Sequence, residues 1–210
     1  MKKTKRMISS IYDTLNASDS DELEGIYKNW AKNYEHDVIN LAGYVGHLIT
    51  SELLLSYLKK DKAKVLDAGC GTGLVGEFLF NNNFKNVEGV DFSKEMLSLA
   101  SNKKVYQSLK LVDLTKKLDY KDSVFDAVIC AGTFTCGHVG PEALRELVRI
   151  TKKSGYICFT VRKQEWEAAP YEKVIQSLED SMSWFEVERH TSDYNTQEGI
   201  SCQLCLFKVT

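Results

Sequence analysis

The residues of this 210-residue chain best suited to chemistry fall within nine positions, Val65-Leu66-Asp67-Ala68-Gly69-Cys70-Gly71-Thr72-Gly73. Three alternate glycines let the backbone turn sharply and let a ligand lie against it. A β-rich run, KVLDAG, leads into them and a helical apolar pattern, LVGEFLFNN, leads out, so the turn joins a strand to a helix. Asp91 ends the next β-rich run, VEGVD, 20 residues after Gly71, where a ribose-binding acid belongs. Gly71-Thr72-Gly73-Leu74-Val75-Gly76 also fits G-x-G-x-x-G. Pattern alone leaves two readings, a dinucleotide site and a site for S-adenosylmethionine.

Charge separates them. A dinucleotide brings a pyrophosphate to the turn, and Asp67 at the carboxyl end of the first strand repels it across a few ångströms of partly desolvated space. S-adenosylmethionine brings a sulfonium and an ammonium, which the same carboxylate attracts directly or through water, while amides at the helix start receive the ligand's carboxylate.

The elements that position these residues follow from the periodicity. From about residue 60 onward strand and helix signals alternate. SKEMLSLASNK reads as a helix with Ser93 as N-cap, YQSLKLVDL as a third strand and FDAVICAG as a fourth. PEALRELVRITKK is a helix with Pro141 in its first turn, and GYICFTVRK a fifth strand. That order predicts a parallel sheet with helices on both faces. YEKVIQSLEDSM reads as one more helix, and WFEVERHTSDY and GISCQLCLFKV as two strands in direct succession, hence an antiparallel hairpin closing one sheet edge. Residues 1–60 differ: Ile26, Trp30, Tyr34 and Val38 recur every four positions, the mark of a helical cap over residues 61–210. The fold expected is α/β, a Rossmann-like sheet of seven mainly parallel strands, with an antiparallel C-terminal strand and the N-terminal cap, in one structural domain.

Composition bounds the function. Lys plus Arg number 27 and Asp plus Glu 29, a formal charge of -2 without the basic excess of a nucleic-acid binder. No apolar run reaches the roughly 18 to 20 residues of a membrane span, and the basic start MKKTKR has no apolar stretch behind it. With six scattered cysteines the reading is a cytoplasmic protein of a reducing compartment. Cys202 and Cys205 form a C-x-x-C, but three positions apart in a strand they face opposite ways, which argues against a metal site.

VLDAGCGTG, together with the acid ending GVD and the segments KLVDL and FDAVICAG, resembles the motifs of the class I S-adenosylmethionine-dependent methyltransferases. YKNWAKNYEHDV, GVDFSKEML and ELVRITKKSGYICFTVR extend the likeness to the methyltransferase-like group named for the Williams–Beuren syndrome chromosome region, from about Ile26 to Lys208. The resemblance implies S-adenosylmethionine as cofactor. It places Asp67, Ala68, Gly69, Gly71 and Gly73 around the methionine part, Asp91 on the ribose hydroxyls, Phe92 and Met96 against the adenine ring, and Asp113 with Leu114 at the adenine amino edge. Tyr34 belongs to a helix that folds over the cofactor in such proteins, whereas Trp30 is expected in packing. Lys153-Ser154-Gly155 stands where many relatives have a proline and two glycines.

Methyl transfer from a sulfonium is an in-line displacement that asks the protein to align the reactants and exclude water; a base is needed only for some acceptors. The loop after the fourth strand, Ala131 to His138, falls at the carboxyl end of the sheet, and His138 is its candidate base. No Asn-Pro-Pro-Tyr or Asp-Pro-Pro-Tyr follows that strand. The expectation is an enzyme that methylates a small molecule, with no nucleic-acid or membrane partner and no metal. A non-catalytic S-adenosylmethionine-binding module acting through a partner is the alternative, and a nicotinamide-dependent oxidoreductase the third reading.

Overall fold

In the computed structural model, which describes residues 9–59, 62–134 and 139–210, seven strands form one sheet in the order β3-β2-β1-β4-β5-β7-β6. The strands are β1 (Val65–Ala68), β2 (Val87–Asp91), β3 (Ser108–Leu111), β4 (Phe125–Phe134), β5 (Thr151–Arg162), β6 (Trp184–Asn195) and β7 (Ile200–Val209). The first five are mutually parallel. β7 inserts antiparallel between β5 and β6, as expected of two strands joined without a helix. The strand order reverses between β1 and β4, so the carboxyl ends of these two strands border the crevice where ligands bind in open α/β sheets.

Period-two alternation sends successive side chains into two cores. On one face Val128, Cys130, Ile157, Phe159 and Phe207 pack beneath α6 (Ala143–Ile150) and α8 (Tyr171–Asp180). On the other, Ala127, Ile129, Cys158 and Leu204 pack beneath α3 (Gly46–Tyr57) and α4 (Leu74–Asn81). Cys205 lies in the first core, while its neighbours Leu204 and Leu206 lie in the second. Cys202 shares the parity of Leu204 and so faces away from Cys205; among the described residues no cluster of His, Cys, Asp and Glu could hold a metal ion.

The segment expected as a cap divides. α1 (Ser9–Asn16), α2 (Ser20–Trp30) and a π-helix (His36–Leu41) lie over the crevice, and Ile11, Trp30, Val38 and Ala42 form their own small core. Asp19 caps α2 by accepting from the Glu22 amide at 2.9 Å. α3 instead covers the sheet through Leu53 and Leu54. Its apolar residues were legible, but their service to a cap or to the sheet is a matter of tertiary contact.

Two boundaries differ from expectation. α6 ends at Ile150, short of Lys153, because Thr151 turns extended and pairs with Phe125. Ser154 then takes φ +63° and Gly155 a place where a Cβ would meet the Asp126 carbonyl at 2.8 Å, so the Lys153-Ser154-Gly155 turn is a bulge within β5. A short helix, α7 (Lys163–Ala168), follows β5 without having been anticipated. The helix after β2, α5 (Lys94–Lys103), starts as expected, with Ser93 Oγ accepting from the Met96 amide. No described helix is long and apolar enough to cross a membrane.

Candidate functional site

Between the carboxyl ends of the parallel strands and the cap lies a cavity of about 550 Å³, a size ordinary for small-molecule sites, roughly 300 to 1,000 Å³. β1 delivers the chain to it at Gly69. Gly69, Gly71 and Gly73 have φ of +80°, +52° and +94°, conformations that side chains rarely adopt. A Cβ on Gly69 would run into Thr133, but one on Gly71 would meet nothing within 4 Å and would project into open space beside the cavity. Gly71 therefore leaves a cradle that a side chain would fill.

Four of the loop's amides are already committed. Gly69 and Cys70 both donate to the Val90 carbonyl, Gly73 to the Cys70 carbonyl, and Gly71 to Asp91 Oδ2 at 2.8 Å. An anion-binding nest needs converging, unpaired N–H groups, and four of these are spent inside the protein. Asp91 does more than its spacing suggested: Oδ1 also accepts from the Ser93 amide at 2.9 Å, so one carboxylate pins the glycine loop to the start of the next helix. Burial pushes its pKa up against these amide bonds. Each oxygen retains a lone pair for a ligand hydroxyl.

The sequence-predicted residues fall into three groups. Tyr34, Gly69, Gly71, Asp91, Phe92, Met96, Asp113 and Leu114 come together on the cavity wall. Asp113 lies just past β3, where its Oδ1 accepts from both the amide and hydroxyl of Thr115. Asp67, Ala68 and Gly73 are not among the residues that line the cavity. Ala68 is fully buried in the sheet, and Gly73 is turned towards Tyr106 and Ala100 as the N-cap of α4. Asp67 is fully buried behind the loop, where Tyr106 donates to its Oδ2 at 2.6 Å and Oδ1 has no partner. Burial is the main cause raising its pKa to about 7, aided by Asp91 and opposed by Tyr106. His138 lies outside the described residues. The next residue, Val139, lines the cavity.

Several wall residues carried no signal in the sequence. His47, in the first turn of α3, is buried with Nδ1 unpartnered, and burial followed by the Lys103 charge lowers its pKa to about 4, so it is neutral at pH 7. Thr72 Oγ1 is likewise buried without a partner on the wall. A lone histidine on an apolar helix is indistinguishable by pattern from a packing residue. Tyr27 had a faint signal: it is seven positions before Tyr34, on the same helical face, and its ring stands edge-on to Phe92 at 5.7 Å. Trp30 packs against Tyr34 at 4.8 Å and donates to Asp37, as its expected packing role requires.

These features specify a ligand. Acidic Asp91 and Asp113 on the wall, with Asp67 behind it, favour positive charge, and the committed amides offer little to a pyrophosphate. Orphaned Thr72 Oγ1 and His47 Nδ1 need polar groups of a small molecule, and Phe92, Met96 and Leu114 suit a flat heterocycle. An adenosyl ligand with a cationic amino-acid end fits all three.

Comparison with known proteins agrees. A family model described as "Methyltransferase domain" matches residues 66–159. Methyltransferase-like protein 27 of Homo sapiens is 33% identical over 165 residues, covering 75% of this chain and 66% of that protein, so the chain spans about two thirds of this relative's length. Among solved structures, magnesium protoporphyrin IX methyltransferase from Synechocystis PCC 6803 with bound SAM superposes with a TM-score of 0.67 at 17% identity, over 93% of this chain and 100% of that one. The Burkholderia thailandensis 1,6-didemethyltoxoflavin-N1-methyltransferase, bound to its substrate and S-adenosylhomocysteine, gives a TM-score of 0.65 at 16% identity, over 92% and 91%. At such identities the two structures establish the fold.

Proposed function

This chain belongs to the class I S-adenosylmethionine-dependent methyltransferases, with S-adenosylmethionine as cofactor, and from that premise we propose that it transfers a methyl group to a small-molecule acceptor. The observation that carries the proposal is the carboxylate-bordered cavity in which four glycine-loop amides are internally spent, since it favours an adenosyl cation over a pyrophosphate.

When bound, the cofactor supplies an electrophilic methyl: the acceptor's lone pair forms the new bond to carbon as the carbon–sulfur bond breaks, the electron pair remains on sulfur, and any displaced acceptor proton passes to a base or solvent. The chain's own residues do the rest. Gly69 and Gly71 let the methionine part lie against the loop, with Thr72 and His47 meeting its polar groups. Asp91 accepts from the ribose hydroxyls while holding the Gly71 amide. Phe92, Met96 and Leu114 enclose the adenine, and Asp113 accepts from its amino group. Tyr34, from the cap, closes the cavity and excludes water. Asp67 and Gly73 act from behind, one through its field and the other through the turn. His138, one residue before the cavity-lining Val139, is the base for acceptors that need one.

An aromatic cap that brings Tyr27 and Tyr34 onto the cavity wall supports a small acceptor over a protein chain or a nucleic acid. Five described cysteines are free and buried, in keeping with a reducing, cytoplasmic location. Titration calorimetry with S-adenosylmethionine, S-adenosylhomocysteine and NAD tests the cofactor: the first two bind and NAD does not, and micromolar NAD binding would refute it. Release of S-adenosylhomocysteine across panels of small amines, phenols and acids, against protein and RNA mixtures, tests the acceptor. Turnover confined to the macromolecules would overturn the small-molecule proposal.

A further inference from the structure

Beside the main cavity lies a second of about 70 Å³, lined by residues of α1, α2, the end of β5 and the β6–β7 hairpin. It has room for a few water-sized groups. The two cavities share Tyr27, Tyr34, Tyr44 and Gly132 on their walls, so the inner one opens at the carboxyl end of β4, beside the site of methyl transfer.

Its wall contains one charged residue, Arg162, the last of β5. Arg162 is 4% exposed, and among the described residues its guanidinium makes no hydrogen bond. Its counter-charge is Glu165, one turn on in α7: Arg162 Nε and Glu165 Oε2 stand 3.6 Å apart, beyond hydrogen-bond reach, and neither carboxylate oxygen has a partner. A guanidinium carries five donors in a fixed fork, and here Nε is buried with no hydrogen-bond partner, which is costly unless a ligand draws on the fork. Around it are phenols. The hydroxyls of Tyr44 and Tyr194 converge on Gly132, where a Cβ would meet them at 2.7 and 3.3 Å. Burial pushes the pKa of both phenols up, so they stay neutral and can donate. Glu165 balances the guanidinium from outside the lining, so the cavity wall itself presents Arg162 and neutral phenol donors, a lining that suits an anion better than an ammonium.

We infer that this inner cavity binds the carboxylate of a small acidic methyl acceptor, with Arg162 as its counter-ion and the tyrosine hydroxyls as further donors, while the rest of the acceptor reaches past Gly132 towards the cofactor. The cavity is sized for a carboxylate and the carbon that bears it rather than for the whole acceptor. Glu165, which does not line the cavity, keeps the guanidinium in place without occupying its donors. This inference rests on the methyltransferase reading above.

The test follows the Arg162 Nε–Hε resonance by NMR in full-length protein saturated with S-adenosylhomocysteine, during titration with acetate, acetamide and inorganic phosphate. The expected result is a saturable shift with acetate, at least tenfold weaker with the isosteric amide and with the larger phosphate. Equal responses to acetate and acetamide, a response to phosphate alone, or none to acetate would overturn the proposal. Arg162→Gln should abolish acetate binding, read on the Tyr44 and Tyr194 resonances, with S-adenosylhomocysteine affinity kept within about twofold. If that variant does not fold with Glu165 left unpaired, the double variant Arg162→Gln/Glu165→Gln carries the same expectation, and undiminished acetate binding in either is refuting. Failure of the wild type to bind S-adenosylhomocysteine would defeat the cofactor reading itself, an outcome separate from cofactor binding without acetate binding.

Discussion

Asp67 offers the sharpest check on the electrostatics of the site. In the ligand-free fold its pKa is raised from 3.8 to about 7, chiefly by burial. Between those values the folded protein holds a proton that the unfolded chain has released, so the stability linked to Asp67 is fully present below pH 3.8 and is lost as pH rises through 7. The slope is about 1.4 kcal/mol per pH unit across that window, which integrates to roughly 2 to 3 kcal/mol between pH 5 and pH 8. Asp67→Asn removes the titration but keeps the shape and an oxygen for the Tyr106 hydroxyl. Its amide hydrogens replace Oδ1 where no partner stands, a cost of about 1 to 3 kcal/mol that does not depend on pH. That cost cancels in the comparison of two pH values. Urea denaturation of both proteins without ligand, at pH 5 and pH 8, should show the wild type losing roughly 2 to 3 kcal/mol more than the variant. Parallel pH profiles would refute the reasoning, because they would mean that Asp67 is already ionised in the free protein at neutral pH and that its burial is compensated by something other than a bound cation.

Gly71→Val should remove S-adenosylhomocysteine binding, since its side chain enters the space beside the cavity; φ of +52° adds strain of about 1 to 2 kcal/mol, and full affinity in a folded variant would refute the loop assignment. Asp91→Ala should weaken the same ligand by about 1 to 3 kcal/mol in calorimetry through lost ribose hydrogen bonds and release of the Gly71 amide; an unchanged Kd would move the ribose elsewhere. Residues 22–40 should exchange amide hydrogens more slowly once ligand is added, because this segment brings Leu23, Tyr27 and Tyr34 onto the cavity wall. Equal protection with and without ligand would make it a static part of the core.

What the sequence determined by itself was everything written in local pattern. Alternating strands and helices announced the parallel sheet, and two unseparated strands the antiparallel edge. The glycine run with Asp91 20 residues on placed the loop, because turn geometry and acid spacing are properties of a single βαβ unit. Ser93 was readable as an N-cap for the same reason. Only the tertiary structure decided which of these residues line the cavity. Asp67 and Gly71 are four positions apart, yet one lies buried against Tyr106 and the other at the cavity, a difference set by how β1 enters the sheet. His47 lines one cavity and Arg162 the other because α3 and β5 carry them there. Helical and strand periodicity record that a side chain points inward, but whether it meets core, counter-ion or open cavity depends on which other parts of the chain fold against it, as Tyr106 does against Asp67 across 39 residues.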